Sequence, residues 1–359
     1  MKKKIVYINL FSSQYKDKEA LLKEQYSSLS YKIELGKMHI VHYLLNNNLE
    51  LNEKYHSIYL KSEKLNRWSF LKTAINYIKK NKCKYVIIHG LDYFLEAAII
   101  KLFSGSKVIL QHHAEKTYLR KKAVLMPWAD KWIDAYLFNG KEMALPFLQK
   151  KCISSVNKIY EVVEGSSDFN VSGQKHTNAI KQIVCIGRLN ENKNFITLLK
   201  AVGILKLKRS DFCVSIYYTS NDSEDDLKAY CNTNKLNDYI VFKGAIPKTQ
   251  IEALLNSADV FISCSLYEGS GYSLIEALAC GTFPIVSNIA AFDFLLNGLD
   301  EKEQFRPRNE LELAAKLNKA LDREFTNAQK ETIRNHFENK CSDKAIALQI
   351  ENALQELTQ

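Results

Sequence analysis

Short apolar runs alternate with longer amphipathic stretches along the first half of the chain. Runs at 5–9, 57–60, 85–89, 107–111, 135–138 and 159–163 are apolar through their centres. That pattern, without strict alternation, predicts strands buried on both faces. Between them, apolar residues recur at the helical period over 36–45, 69–81, 93–103 and 141–149. After a polar stretch at 166–178 the pattern restarts. Strands are expected at 182–186, 213–218, 239–242, 260–263 and 283–286, and helices at 195–207, 223–233, 248–257 and 273–280. The tail predicts helices only, at 310–321, 327–337 and 343–357, the last capped by Ser342. Strand–helix alternation implies right-handed crossovers and parallel sheets. The expected fold class is therefore α/β: two doubly wound, Rossmann-like domains facing a cleft, closed by C-terminal helices. Ligands in such sheets bind at the carboxyl ends of the strands.

Length agrees with this reading, since 359 residues suit two domains at roughly 150 residues each. With 46% hydrophobic and 25% charged residues the composition is globular. The apolar runs fall far short of the ~20 residues that span a bilayer. The opening Lys2-Lys3-Lys4 with 5–10 mimics a signal peptide, but its apolar stretch is short and polar Ser12, Ser13 and Gln14 follow. It is expected to be a first buried strand. Eight cysteines are scattered singly without a CxxC pair, which suits reduced, buried thiols in a cytosolic protein and speaks against a zinc cluster. The net charge of +10 is uneven: residues 1–175 carry +13 and residues 176–359 carry −3. A basic half suggests an anionic counterpart or, equally, a solvated lysine-rich surface.

Two strand–turn–helix segments carry the candidate chemistry. In the first, the run at 260–263 leads into Tyr267-Glu268-Gly269-Ser270-Gly271-Tyr272 and a helix containing Glu276. Glycines let backbone amides approach an anion, and a helix N-terminus adds free N–H groups and a favourable dipole. Glu268 and Glu276 flank that point and suit hydroxyls on either side of a diphosphate. In the second, Gly187-Arg188-Leu189-Asn190-Glu191-Asn192-Lys193 follows another buried strand. A fixed guanidinium and a mobile ammonium suit a diphosphate. Each segment alone also reads as an ordinary capping turn with solvated charges.

Together they resemble a known family, the family 4 glycosyltransferases of the GT-B fold. Its second domain carries Gly-Arg-Leu with a lysine five positions after the arginine, matched by Gly187-Arg188-Leu189 and Lys193. It also carries two glutamates separated by seven residues, then an Ala-x-Ala-x-Gly-x-Pro run. Glu268, Glu276 and Ala277-Leu278-Ala279-Cys280-Gly281 match, and in Thr282-Phe283-Pro284 the proline falls one position later. Phe242-Lys243-Gly244 and Ala258-Asp259-Val260 are similar to intervening landmarks. The strong resemblance covers about 180–300. In the first half, His112-His113-Ala114-Glu115 is similar to the family's strand-then-histidine segment, with His113 preferred over His112. Residues 161–169 resemble its interdomain turn. Many members have a Gly-rich loop after the first strand; residues 9–14 here contain no glycine.

The resemblance implies a retaining glycosyltransferase using a nucleotide-diphosphate sugar. Its domains would be an acceptor-side domain at 1–165, a nucleotide-sugar domain at 166–335, and a terminal helix within 336–359 packing back on the first. Arg188 and Lys193 would hold the diphosphate, Glu268 the donor sugar, Glu276 the ribose, and the amides of Gly269, Ser270, Gly271 and Tyr272 the phosphates; His113 would lie near the transferred sugar. No metal and no cofactor are implied; the nucleotide sugar is a substrate. The acceptor would be a glycan or a lipid-linked sugar, and the location cytoplasmic, at the inner face of an anionic membrane. No helix-turn-helix or aromatic–basic pattern supports nucleic acid. An epimerase or hydrolase on the same fold would need an acid/base pair, for which His112 with Glu115 is the candidate; a non-catalytic anionic-surface binder is the other alternative. The acidic Asp222–Asp226 stretch is better read as a helix start than as a metal site.

Overall fold

A computed structural model describes residues 3–10, 29–45, 57–59, 67–112, 124–172, 179–219 and 222–358. The chain divides into two units, Met1–Ser166 with Ser342–Gln359, and Ser167–Cys341.

The first unit is built on a seven-stranded parallel sheet. Its strands are β1 (Lys4–Asn9), β2 (Ile40–Leu45), β3 (Ser57–Tyr59), β4 (Tyr85–His89), β5 (Lys107–Gln111), β6 (Ala135–Phe138) and β7 (Ile159–Glu161), in the order β3-β2-β1-β4-β5-β6-β7. The expected helix at 36–45 is corrected here. A helix covers 29–38, His39 N donates to Leu35 O, and Ile40 N then donates to Lys3 O and opens β2. The β-branched and aromatic run Ile40-Val41-His42-Tyr43 suits a pleated strand, and the Tyr7–Tyr43 register seats it beside β1.

The last helix, Asp343–Glu356, belongs to this unit. Ser342 caps it by accepting from Ala345 N at 3.2 Å. Its buried face is Ile346, Ala347, Ile350, Ala353 and Leu354. Tyr85 Oη donates to Leu354 O, and Val163 N donates to Gln349 Oε1. A division at 335/336 would fall inside the helix Asn327–Lys340, which lies whole in the second unit; the chain returns at Ser342.

The second unit carries a six-stranded parallel sheet of β8 (Lys181–Ile186), β9 (Phe212–Tyr217), β10 (Ile240–Gly244), β11 (Val260–Ser263), β12 (Phe283–Ser287) and β13 (Glu303–Phe305). The order is β10-β9-β8-β11-β12-β13. Edge strand β13 and the helix Ala290–Leu296 are additions to the sequence-based expectation. Strand order reverses between β8 and β11. The connections from β8 run to one side through β9 and β10, and those from β11 to the other. At such a point the two outgoing turns splay apart and leave a crevice at the carboxyl ends of the strands. Both candidate segments leave the sheet there.

Candidate functional site

The turn after β8 is shaped by asparagines. Asn190 accepts from Lys193 N at 3.1 Å and caps the short turn Glu191–Lys193. Asn194 takes a left-handed conformation at φ 52°, and its side chain donates to Cys264 O at 3.2 Å. Asn192 reaches across to the turn after β11: its side chain donates to Tyr267 O at 2.8 Å, and its carbonyl accepts from Leu266 N at 2.8 Å. Two segments about 75 residues apart in sequence are thereby zipped together.

That zipper delivers Lys193 to Glu268. Lys193 Nζ lies 2.5 Å from Glu268 Oε1, the two side chains being 13% and 6% exposed. The lysine stem runs over Gly187, where a Cβ would meet Lys193 Cδ at 3.4 Å. Glycine at 187 thus leaves a groove for the methylenes. Glu268 Oε1 also accepts from Ser265 Oγ at 2.6 Å, and Ser265 O accepts from Ser287 Oγ at 2.5 Å. A buried carboxylate needs such partners, since desolvation alone strongly disfavours the charged form.

The turn then closes through Gly269, Ser270 and Gly271, all buried. Gly271 has φ 67° and precedes the helix Tyr272–Ala279; a Cβ there would lie 3.0 Å from Leu295 Cδ1 and 3.1 Å from Phe292 Cε1. The opening N–H groups of a helix have no partner within it, so this terminus favours an anion. Glu276, one turn in, is half-buried. Burial pushes its carboxyl up to about 7, with Lys248 opposing and Asp168 adding to the shift. Arg188 stands exposed at the rim.

The structure therefore brings Lys193 and Glu268 into direct contact and sets Gly269, Ser270, Gly271, Tyr272 and Glu276 on the adjoining turn and helix. Asn192, Asn194, Ser265 and Ser287 are supporting residues that sequence reasoning missed. The asparagines' only signal was their clustering before a helix, which reads as capping, and the two serines carried none. In the first unit His112 is buried, its ring edge-on to Phe138 and Phe147 at 5.0 and 5.6 Å between centroids. His113 and Glu115 lie outside the described residues, as do 11–28, which contain most of the loop after β1. No cluster of three or more metal-ligating side chains occurs among the described residues.

Comparison with known proteins bears directly on this region. The family described as Glycosyl transferases group 1 matches residues 169–339, which contain every element of the site just described. These residues form a group 1 glycosyl transferase domain. The chain aligns over 117 residues, at 27% identity, with a GDP-mannose:cellobiosyl-diphosphopolyprenol alpha-mannosyltransferase of Komagataeibacter xylinus. The alignment covers 32% of the chain and 30% of that relative's own length, so the match spans less than a third of it. Likeness in fold extends further. A glycosyltransferase from Rickettsia africae superposes with a TM-score of 0.74 at 16% identity, covering 100% of this chain and 99% of the other. Anabaena Alr3699/HepE, solved in complex with UDP, gives 0.74 at 13% identity, covering 99% and 100%. The paired doubly wound units are thus the GT-B fold, and the group 1 glycosyl transferase domain is its second half.

Proposed function

We propose that the protein transfers a sugar from a nucleotide-diphosphate donor to a glycan or lipid-linked acceptor, with retention of anomeric configuration and without a divalent metal. The observation that carries the reading is the Lys193–Glu268 contact at the reversal point of the second sheet, inside the family-matched region. The donor diphosphate lies at the start of the helix Tyr272–Ala279, against the amides from Gly269 to Tyr272. Arg188 closes over it, and Lys193 turns part of its charge from Glu268 to the leaving phosphate. Two cations and a helix terminus supply the charge that a metal would otherwise supply. Glu268 accepts from hydroxyls of the donor sugar and Glu276 from the ribose. The acceptor oxygen bonds to the anomeric carbon on the face the phosphate leaves. The C–O bond to the phosphate breaks, and the departing phosphate oxygen takes the acceptor's proton. The first unit binds the acceptor, with His113 near the transferred sugar, on the cytoplasmic side of a membrane. The K. xylinus relative, named for a diphosphopolyprenol acceptor, supports the lipid-linked class.

The test is a thermal-shift panel of GDP- and UDP-sugars, followed by a product assay with the sugar that binds. A specific donor is expected to raise the melting temperature, as ligand binding to the folded state must. Its sugar should be consumed equally with and without EDTA, and the product anomer should match the donor's. No shift with any nucleotide sugar would overturn the reading. Loss of turnover in EDTA, restored by manganese, would overturn its metal-free part.

A further inference from the structure

The last strand of the first sheet, β7, lies at an open edge of the order β3-β2-β1-β4-β5-β6-β7. Val162 N donates to Phe138 O on β6 at 2.9 Å. Backbone groups alternate along a strand, so the N–H and C=O of Glu161 and of Val163 point away from β6. The helix Asp343–Glu356 takes up one of them: Val163 N donates to Gln349 Oε1 at 2.9 Å. Between this strand and this helix is a cavity of about 570 Å³, lined entirely by residues of the first unit. That volume lies within the range of small-molecule sites, about 300–1,000 Å³. Gln349, Asn352, Ala353 and Glu356 form its helical wall, at the spacing of one helix face. Ala353 in the middle of that wall is buried and short, which leaves the space open.

On the strand side, Tyr160 is half-buried. Burial raises the pKa of its hydroxyl and the Glu356 carboxylate adds to the shift, so the helix's acid stands close to the polar tip of the ring. Lys141 and Glu161 close one end of the cavity, Glu161 Oε1 accepting from Lys141 N at 2.9 Å, and Asn157 stands before the strand at the other. The side chains of Lys141, Asn157, Asn352 and Glu356 are exposed and form no hydrogen bond or ion pair among the described residues. Two carboxylates face one ammonium here, within a half of the chain that carries +13. An anion gains nothing from that balance. A hydrocarbon tail would strip water from amides and carboxylates without replacing the lost hydrogen bonds. Amides donate and accept at once, and the tyrosine ring offers an apolar face beside them. A sugar ring presents the complement: C–H groups on its faces and hydroxyls around its edge.

We propose that this cavity binds a neutral oligosaccharide, with one sugar ring against Tyr160 and its hydroxyls bonded by Asn157, Asn352 and Glu356. It is a second carbohydrate site, apart from the reacting one. The first sheet reverses its strand order between β1 and β4, and a ligand of that crevice sits at the carboxyl ends of those strands. Strand β7 stands three strands beyond β4, roughly 14 Å away at about 4.8 Å per strand. The inference rests on the reading that glycans are substrates of this protein, and it adds a place where sugars remote from the reacting one are held. Holding them raises the effective concentration of the rest of the chain at the transfer site. An extended basic peptide added to β7 is the rival occupant, since the edge offers backbone groups beside two carboxylates.

The test is calorimetry of the full chain with cellotetraose, maltotetraose and mannotetraose, without nucleotide. At least one is expected to bind, with an affinity that salt leaves unchanged, because the ligand is neutral. Tyr160→Ala should weaken that binding about ten-fold, and Tyr160→Phe, which keeps the ring, hardly at all. Asn157→Ala with Asn352→Ala should weaken it more than ten-fold, at about five-fold for each neutral hydrogen bond lost. The paired variant should keep the wild-type melting temperature, since both side chains are exposed. All variants should keep the donor-induced shift of the second unit. Binding of no tetrasaccharide, affinity unchanged in Tyr160→Ala and in the paired variant, or binding of tetralysine in place of the sugars would each overturn the proposal. A donor shift without tetrasaccharide binding removes this site alone. Variant-sensitive tetrasaccharide binding without any donor shift upholds this site and removes the transferase reading.

Discussion

At the scale of single residues, Lys193 and Arg188 have different surroundings and should fail in different ways. Lys193 is nearly buried and neutralises Glu268, so Lys193→Ala leaves a carboxylate in a dry pocket with a serine partner. Breaking a buried pair costs about 3–5 kcal/mol. The expected outcome is a clear fall in melting temperature, partly regained in Lys193→Ala/Glu268→Gln. Arg188 is exposed, and Arg188→Ala should leave the melting temperature unchanged. Both single variants should lose about 10²–10³ in turnover, the range for one electrostatic donor at a developing charge. Turnover near normal in Arg188→Ala would remove this residue from the leaving-group site. Glu276 offers a pH readout. Its folded pKa of about 7 lies above the ordinary 4.5, so burying the group costs nothing below 4.5, where it is protonated in both states. The cost grows between those values and is complete above 7. Glu276→Gln should therefore melt above wild type at about pH 8, with the gain vanishing towards acid pH. Binding of a nucleoside diphosphate should strengthen as pH rises through 7 in wild type, because a ribose hydroxyl donates to the ionised form, and this dependence should flatten in Glu276→Gln. Calorimetry across that range checks both.

Elements show where a sequence speaks and where it does not. Strands buried on both faces, such as Tyr85–His89 and Val260–Ser263, declare themselves because nothing polar interrupts them. Ile40–Leu45 does not: four of its six residues are aliphatic, and such a run fits a helical stripe as well as a strand, so the helix ending at 38 reads straight through it. Glu303–Phe305 is too short and polar to register as a strand. The candidate site was legible in its glycines, glutamates and basic residues. The Lys193–Glu268 contact was not, because it depends on the adjacency of β8 and β11, which only the strand order reveals. The run after Glu276 has a reason of its own. At Gly281 φ is 68°, and a Cβ would fall 2.6 Å from the backbone oxygen of Lys330. The helices Tyr272–Ala279 and Asn327–Lys340 pack together there, so the clash falls on backbone that cannot swing aside. Gly105 has a similar φ of 71° with nothing within 4 Å. Gly105→Ala should cost about 1–2 kcal/mol, the left-handed penalty alone, and Gly281→Ala distinctly more. Thermal melts of the two variants separate strain from collision, and equal shifts would show that the packed helices simply move apart.

For the whole molecule, the chain's return after the second unit matters most. The helix Asp343–Glu356 follows the second unit in sequence, yet it packs within the first unit. Its attachment combines polar and apolar contacts: Ser30 Oγ donates to Asp343 Oδ1 at 2.6 Å, Tyr85 Oη to Leu354 O at 3.1 Å, and Val163 N to Gln349 Oε1 at 2.9 Å. Ile346, Ile350 and Leu354 are buried. Fully burying an aliphatic side chain of this size contributes about 1.5–3 kcal/mol, so the three together approach the 5–15 kcal/mol by which whole domains are typically stable. Without the helix, the Tyr85 hydroxyl loses its acceptor and the sheet face beneath it meets water. A chain that stops at Cys341 is therefore expected to lose the cooperative melting of the first unit. It should keep that of Ser167–Cys341, together with the rise in melting temperature on adding the donor, since the proposed diphosphate and ribose contacts lie within that segment. Calorimetry with and without the nucleotide sugar reads the two outcomes separately. A truncated chain that still melts in full, lowered by only about 2 °C or roughly 1 kcal/mol, would show that the helix is a surface appendage and that the sheet's own core suffices.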